Sequence, residues 1–113
     1  MQKKQEKRIR LKKKIRAKVT GTAEMPRLSV YRSNAHIYAQ AIDDTKGVTL
    51  AQASDVKLKS GTKAERAKKV GALVAEALVA KKITKVVFDR NGFRYIGRIK
   101  MLADEARSSG LTF

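Results

Sequence analysis

From residue 27 onward, apolar and polar positions alternate at the period of an extended strand. In RLSVYR (27–32) Leu28 and Val30 alternate with Ser29 and Tyr31, and in HIYAQAI (36–42) Ile37, Ala39 and Ala41 alternate with Tyr38, Gln40 and Ile42. Ser33, Asn34 and Ala35 between them suit a tight turn, so the spacing predicts a β-hairpin. A second turn, DDTKG (43–47), leads to a third strand, VTLAQA (48–53), and the three strands read as an antiparallel meander. One hairpin face carries Ser29, Tyr31, Tyr38 and Gln40, a polar and aromatic set unlike a core.

After a loop at 54–61 the period lengthens. Thr62 and Glu65 have the spacing of a capping box, and Ala67, Val70, Gly71, Val74, Ala77 and Leu78 then fall on one helical stripe. Gly71 on that stripe predicts a close approach to the sheet. Lys81 and Lys82 suit the helix C-terminus, and Val86, Val87 and Phe88 form a short apolar run expected of a strand buried on both faces. Strand, helix, strand implies a right-handed crossover to a parallel strand. DRNGFRY (89–95) reads as a loop with an Asn-Gly turn. A last helix over about 97–108 follows, with Ile99, Leu102, Ala103 and Ala106 as its apolar stripe and Gly110 as its cap. The pattern as a whole predicts an α/β fold with a mixed four-stranded sheet: an antiparallel three-strand meander, then a parallel strand after a crossover helix, with the helices packed on it. Residues 20–113 are expected to form a single globular domain, entered through a linker-like passage at 20–26 that holds Gly21 and the sole proline, Pro26.

Charge changes the picture at the N-terminus. Residues 1–18 hold Lys3, Lys4, Lys7, Arg8, Arg10, Lys12, Lys13, Lys14, Arg16 and Lys18 against Glu6 alone, which is +9 of the chain's formal +17. Leu11, Ile15 and Val19 recur every fourth position, so a helix is feasible, but six like-charge i,i+4 pairs oppose it by on the order of 1–3 kcal/mol in total. Residues 1–19 are therefore expected to be a basic arm that a dense array of negative charge must order. The rest of the chain is still +8, and the pI is about 10.6. That balance points to polyanions, nucleic acid before an anionic membrane. With no cysteine and one histidine, disulfides, thiolate zinc sites and multi-His metal sites are excluded. Charges recurring to Lys18 rule out a secretory signal, and the arm lacks the serines of a mitochondrial presequence. A cytoplasmic location, no membrane partner and no cofactor are the expectations.

Several separate segments then agree on one family. The basic arm, RLSVYRSNAHIYAQ (27–40), VVFDR (86–90), Gly97-Arg98, ADEAR (103–107) and GLTF (110–113) together closely resemble bacterial large-ribosomal-subunit protein eighteen, a 5S rRNA-binding family, with element order preserved from end to end. Where that family's loop often has Gly, Tyr and His, this chain has Asn91, Phe93 and Ile96. The resemblance implies a sheet like that of ribonuclease H and a structural, non-enzymatic role. The protein would bind 5S rRNA and help attach it to 23S rRNA in the central protuberance, beside other ribosomal proteins, as a monomer within the ribonucleoprotein.

The residues themselves suggest how. A-form RNA hides its base edges, so a protein gains most from phosphates, 2′-hydroxyls and stacking on unpaired bases. The arm is expected to neutralise phosphates. Arg27, Arg32, Arg90, Arg94 and Arg98, at strand ends or in loops, are candidates for bidentate contacts. Tyr31, His36, Tyr38 and Gln40, with Ser33 and Asn34 at the turn, would meet ribose and bases. Asn91 and Gly92 leave room for close approach, beside Phe93 and Tyr95. Asp43 and Asp44 read as turn formers rather than a catalytic pair, and Asp89 as a residue that caps its loop or orients Arg90. Two other classes make distinct predictions. A DNA-binding architectural protein would bind duplex DNA as well as structured RNA, and an RNA-processing enzyme would need a nucleophile and base, a metal cluster or a phosphate-cradling Gly-rich loop, none of which the sequence offers.

Overall fold

The computed structural model of the protein describes residues 20–58 and 60–113; the basic arm, with its ten candidate RNA-contacting side chains, and Lys59 lie outside the described residues. The elements follow the predicted order: β1 (Arg27–Arg32), β2 (Ile37–Asp43), β3 (Val48–Ser54), α1 (Lys63–Ala80), β4 (Val87–Asp89) and α2 (Gly97–Ser108). The sheet order is β3-β2-β1-β4, antiparallel except for the parallel β1/β4 pair that the α1 crossover delivers.

Register decides what each face carries. Leu28 lies opposite Ala41 and Val30 opposite Ala39, and these side chains are fully buried in one cluster with Val70, Val74, Leu78, Ile99 and Leu102 of the helices. Both helices therefore cover one face. Ser29 opposite Gln40 and Tyr31 opposite Tyr38 occupy the other face, as the alternation predicts.

α1 opens on Thr62, whose hydroxyl accepts from the Glu65 amide at 3.2 Å. The buried set of α1 is Ala67, Val70, Gly71, Val74, Ala75 and Leu78, with Ala77 only half-buried. The covered arc is broader than the predicted stripe because α1 packs against α2 as well as β2 and β3. The close approach at Gly71 is to α2 and not to the sheet: a Cβ there would lie 2.3 Å from the Leu102 carbonyl oxygen. Both helices end in Schellman motifs. In α1 the amides of Lys82 and Ile83 donate to Val79 and Leu78, and in α2 those of Gly110 and Leu111 donate to Arg107 and Ala106.

One expectation is corrected. β4 is an edge strand whose Val87 and Phe88 are half-buried: Val87, level with Arg27, lies on the face that nothing among the described residues covers, and Phe88, level with Leu28, lies on the helix side at the rim of the sheet. Phe88 is closed off laterally instead, by stacking on Phe113 (5.2 Å between centroids) and by the edge of Tyr95 (5.8 Å). The exposed passage at 20–26 is anchored to the body at two points, Gly21 and Pro26. The Gly21 amide donates to Asp44 Oδ2 at 2.8 Å, its carbonyl accepts from the Asp44 amide at 3.0 Å, and Pro26 is fully buried.

The strand directions have one consequence for function. β1 ends, β2 begins, β3 ends and β4 ends at the same edge of the sheet, and both helices start there. The hairpin turn, the loop after β3, the 90–96 loop and two helix N-termini are thereby gathered at one end of the molecule.

Candidate nucleic-acid interface

The open sheet face is built around a cross-strand aromatic pair. Tyr31 and Tyr38 stack with centroids 4.8 Å apart and planes 14° from parallel, and Tyr31 remains 40% exposed. Neither hydroxyl is hydrogen-bonded among the described residues, so both tips are free to reach ribose or base edges. Gln40 is half-buried beside them, paired across the sheet with exposed Gln52.

At the gathered end, the turn is tied by its own backbone. The Ser33 amide donates to the His36 carbonyl at 2.8 Å, the His36 amide donates to Ser33 Oγ at 3.1 Å, and Asn34 is left exposed at the tip. His36 Nδ1 lies 3.1 Å from the Oδ1 atom of Asp55, a carboxylate that is 1% exposed and also accepts from the Ile37 amide at 3.0 Å. A carboxylate only accepts, so the Nδ1–H donates to Asp55 and that bond fixes the ring's orientation. Nε2 is left for an outside partner, and a ribose 2′-hydroxyl, which both donates and accepts, suits it.

The 90–96 loop is stitched to β1 from inside. Asn91, at φ 53°, donates its side-chain amide to Ser29 Oγ (2.8 Å) and to the Val30 carbonyl (3.0 Å), while its backbone amide donates to Asp89 Oδ1 (2.9 Å). Asp89 therefore caps the loop, as one of its expected roles had it, but its second oxygen takes Arg27 and not Arg90. Arg90 Nη1 instead donates to the Phe93 carbonyl at 2.8 Å and closes the loop around buried Gly92. What the loop presents outward is Arg94 and Ile96, both exposed. Phe93 is half-buried under the Arg32 guanidinium, 5.7 Å from the ring centroid. Tyr95 turns away: its hydroxyl accepts from Arg107 Nη1 at 2.7 Å.

The sequence-predicted side chains thus divide. Tyr31, Arg32, Ser33, Asn34, His36, Tyr38, Gln40, Arg94 and Arg98 come together on the open face and the gathered end. Asn91, Gly92, Arg90 and Tyr95 shape the loop beside them. Arg27 stands at the opposite end of β1. Its Nε and Nη2 donate to Asp44 (2.9 and 3.0 Å), its Nη1 donates to Asp89 (2.8 Å), and the hydrogen bonds to Asp44 above all raise its pKa further. Asp43 forms the expected turn contact, accepting from Thr45, whereas Asp44 accepts from Gly21 and Arg27, 23 and 17 residues away.

Two residues here escaped the sequence reading. Asp55 looks like an ordinary loop acid, and Arg66 falls off the apolar stripe of α1 and reads as solvated. The first turn of α1 holds Lys63 and Arg66 with Glu65 between them, so the local charge pattern gives no sign of the Asp55 partner. Arg98 lies at the start of α2, whose first turn has no acid. Among the described residues no helix is long and apolar enough to cross a membrane.

Comparison with known proteins adds a separate line. A family model described as ribosomal L18 of archaea, bacteria, mitochondria and chloroplasts matches residues 2–113. The chain is 54% identical over 112 residues to large ribosomal subunit protein uL18 of Staphylococcus carnosus, covering 94% of this chain and 93% of that one. It is 55% identical over 112 residues to the protein of the same name from Pediococcus pentosaceus (97% and 95% covered) and 57% over 103 residues to that of Streptococcus agalactiae (89% and 87% covered).

Proposed function

The chain belongs to the ribosomal L18 family, and from that premise we propose that it binds 5S rRNA through the open sheet face and the gathered end, and helps fasten that RNA to 23S rRNA in the central protuberance of the large subunit. It is a ribosomal structural protein and not an enzyme. The observation that carries the proposal is the continuity of the two surfaces. The outward-facing Tyr31–Tyr38 stack has the edge of the His36 ring 6.4 Å from Tyr38, and the Ser33–His36 turn beside it receives Arg98 at the Ser33 carbonyl and carries exposed Arg32 and Asn34. Stacking rings meet unpaired bases, and the turn with its arginines meets phosphate and 2′-hydroxyl, which are the groups that structured RNA exposes.

The roles of the other candidates follow from their geometry. Arg90, Asn91 and Gly92 hold the loop in shape so that Phe93 and Arg94 meet the RNA edge, and Arg27 stiffens the sheet instead of touching RNA. The arm residues, Lys3 through Lys18, supply phosphate contacts that carry no sequence information. Neighbouring ribosomal proteins of the central protuberance are further partners, and the protein acts as a monomer within the particle.

Replacing Tyr38 by Ala removes one ring of the stack and is expected to weaken 5S rRNA binding by roughly tenfold, within the range measured for loss of a base-stacking side chain. Arg94→Gln is expected to act in the same direction. The check is a pair of affinities, for 5S rRNA and for a random RNA duplex at one salt concentration. Equal losses on both RNAs would reduce these residues to nonspecific contacts and remove the proposed interface.

A further inference from the structure

Around Asp55 the gathered end holds more positive charge than its own carboxylates neutralise. Arg66 Nε lies 3.9 Å from Asp55 Oδ2, too far for a hydrogen bond, and both atoms are buried without a partner among the described residues. Arg98 Nη2 donates to the Ser33 carbonyl at 3.1 Å, but its Nη1 is buried and meets no acceptor among the described residues. Arg32, at the end of β1, rests on Phe93 and has no ion pair among the described residues. Arg98 is thus held at the residue next to Arg32, and Arg66 at Asp55; burial first and then the charge of Arg32 lower the pKa of Arg98, Asp55 opposes them, and Arg66 adds to the lowering. Buried guanidinium donors are seldom left unsatisfied, and like charges are seldom converged without a shared counterion.

We propose that Arg32, Arg66 and Arg98 form a shared seat for a single phosphate group of an RNA backbone, braced from behind by Asp55. The inference rests on the RNA-binding reading above and adds one fixed phosphate, held jointly, to it. The guanidiniums come from β1, α1 and α2, so they approach the seat from three directions. A tetrahedral phosphate accepts such forks, whereas a planar carboxylate is matched by one. The two helix N-termini add their partial positive charge at the same end. Asp55 fixes His36 alongside, leaving its Nε2 for the 2′-hydroxyl of the same nucleotide or of a neighbour. Asp55 is thus a positioning residue, and an acidic protein segment is the rival occupant.

The test uses the full chain with Arg32→Gln, Arg66→Gln, Arg98→Gln and the triple variant, each checked for folding by thermal unfolding. Arg66→Gln is the safest of them, since Arg66 makes no side-chain hydrogen bond within the described residues. One shared phosphate predicts that each single variant binds 5S rRNA about ten- to hundredfold more weakly with an unchanged salt slope, because two arginines still neutralise the group. The triple variant then flattens the slope of log K against log salt by one phosphate, about 0.7–0.9. If each single variant flattens the slope by that amount and the triple by three times as much, the contacts are independent and the shared seat is overturned. Unchanged affinity in every variant overturns the site and leaves the acidic segment. A second readout needs no RNA: inorganic phosphate titrated into the wild-type chain should shift the Nε–H resonances of Arg66 and Arg98 together, ahead of the other arginines. Joint shifts with no 5S rRNA binding would sink the functional reading and keep the seat, and shifts no earlier than elsewhere would sink the seat.

Discussion

Lys82 closes α1 at φ 63°, a conformation that a Cβ disfavours by roughly 1–2 kcal/mol. It is retained because its amide and that of Ile83 complete the Schellman motif. Lys82→Gly relieves the strain at some cost in unfolded-state entropy, so the net gain should be about 1 kcal/mol, seen as a melting midpoint about 4 °C higher by circular dichroism. Asp43 gives a prediction in pH. The hydrogen bond from the Thr45 hydroxyl, opposed by burial and joined by the Thr45 amide, holds its carboxyl below the ordinary aspartate value of 3.8. A depressed folded-state pKa means stability that is present above 3.8 and lost as pH falls through the lower folded value. Asp43→Asn should therefore unfold more readily than wild type at neutral pH, and urea titrations should show that gap closing as pH is lowered below 3.8; a gap constant with pH would remove the effect. At this scale, what the sequence hid was partnership. Arg27 and Asn91 look as available as Arg94, yet their hydrogen-bond partners lie up to 62 residues away along the chain, and no local pattern announces a partner at that separation.

The elements were far more legible, because alternation and helical spacing are local. The hairpin, the capping Thr62 and the stripe of α2 all follow from patterns a few residues long. What local pattern does not report is which neighbour lies across a packed face. Gly71 was recognisable as a point of close approach, but the surface it meets is the α2 backbone. That yields a prediction whose sign is the test. At an exposed helix site Gly→Ala stabilises by about 1 kcal/mol through propensity. At Gly71 the new Cβ would stand 2.3 Å from a backbone oxygen that cannot swing away. Separating the helices costs about 1–3 kcal/mol or more, so Gly71→Ala should lower stability and the melting midpoint. A variant with a raised midpoint would mean that α1 and α2 do not pack as closely as described. β4 makes the same point for strands: an apolar run signals burial, but whether one face or two are covered depends on where the strand falls in the sheet order.

For the whole molecule the question is how affinity and selectivity are divided. The arm holds more than half of the net charge in 18 residues and offers almost no hydrogen-bonding side chains other than Lys, Arg and Gln. Such a segment lowers the free energy of any phosphate array alike. The body carries the aromatic stack on β1 and β2, the imidazole held by Asp55 and Arg98 held by the Ser33 carbonyl, and on the proposed function only a folded RNA that matches their arrangement would engage them together. If about 6–8 phosphates are neutralised in all, log K should fall against log salt with a slope of about −4 to −7. Deleting residues 1–18 should flatten that slope by several units, while the ratio of affinities for 5S rRNA and a random duplex, compared at one salt concentration, stays nearly unchanged. The contrary result, an unaltered slope with a collapsed ratio, would assign selectivity to the arm and reduce the sheet face to a scaffold.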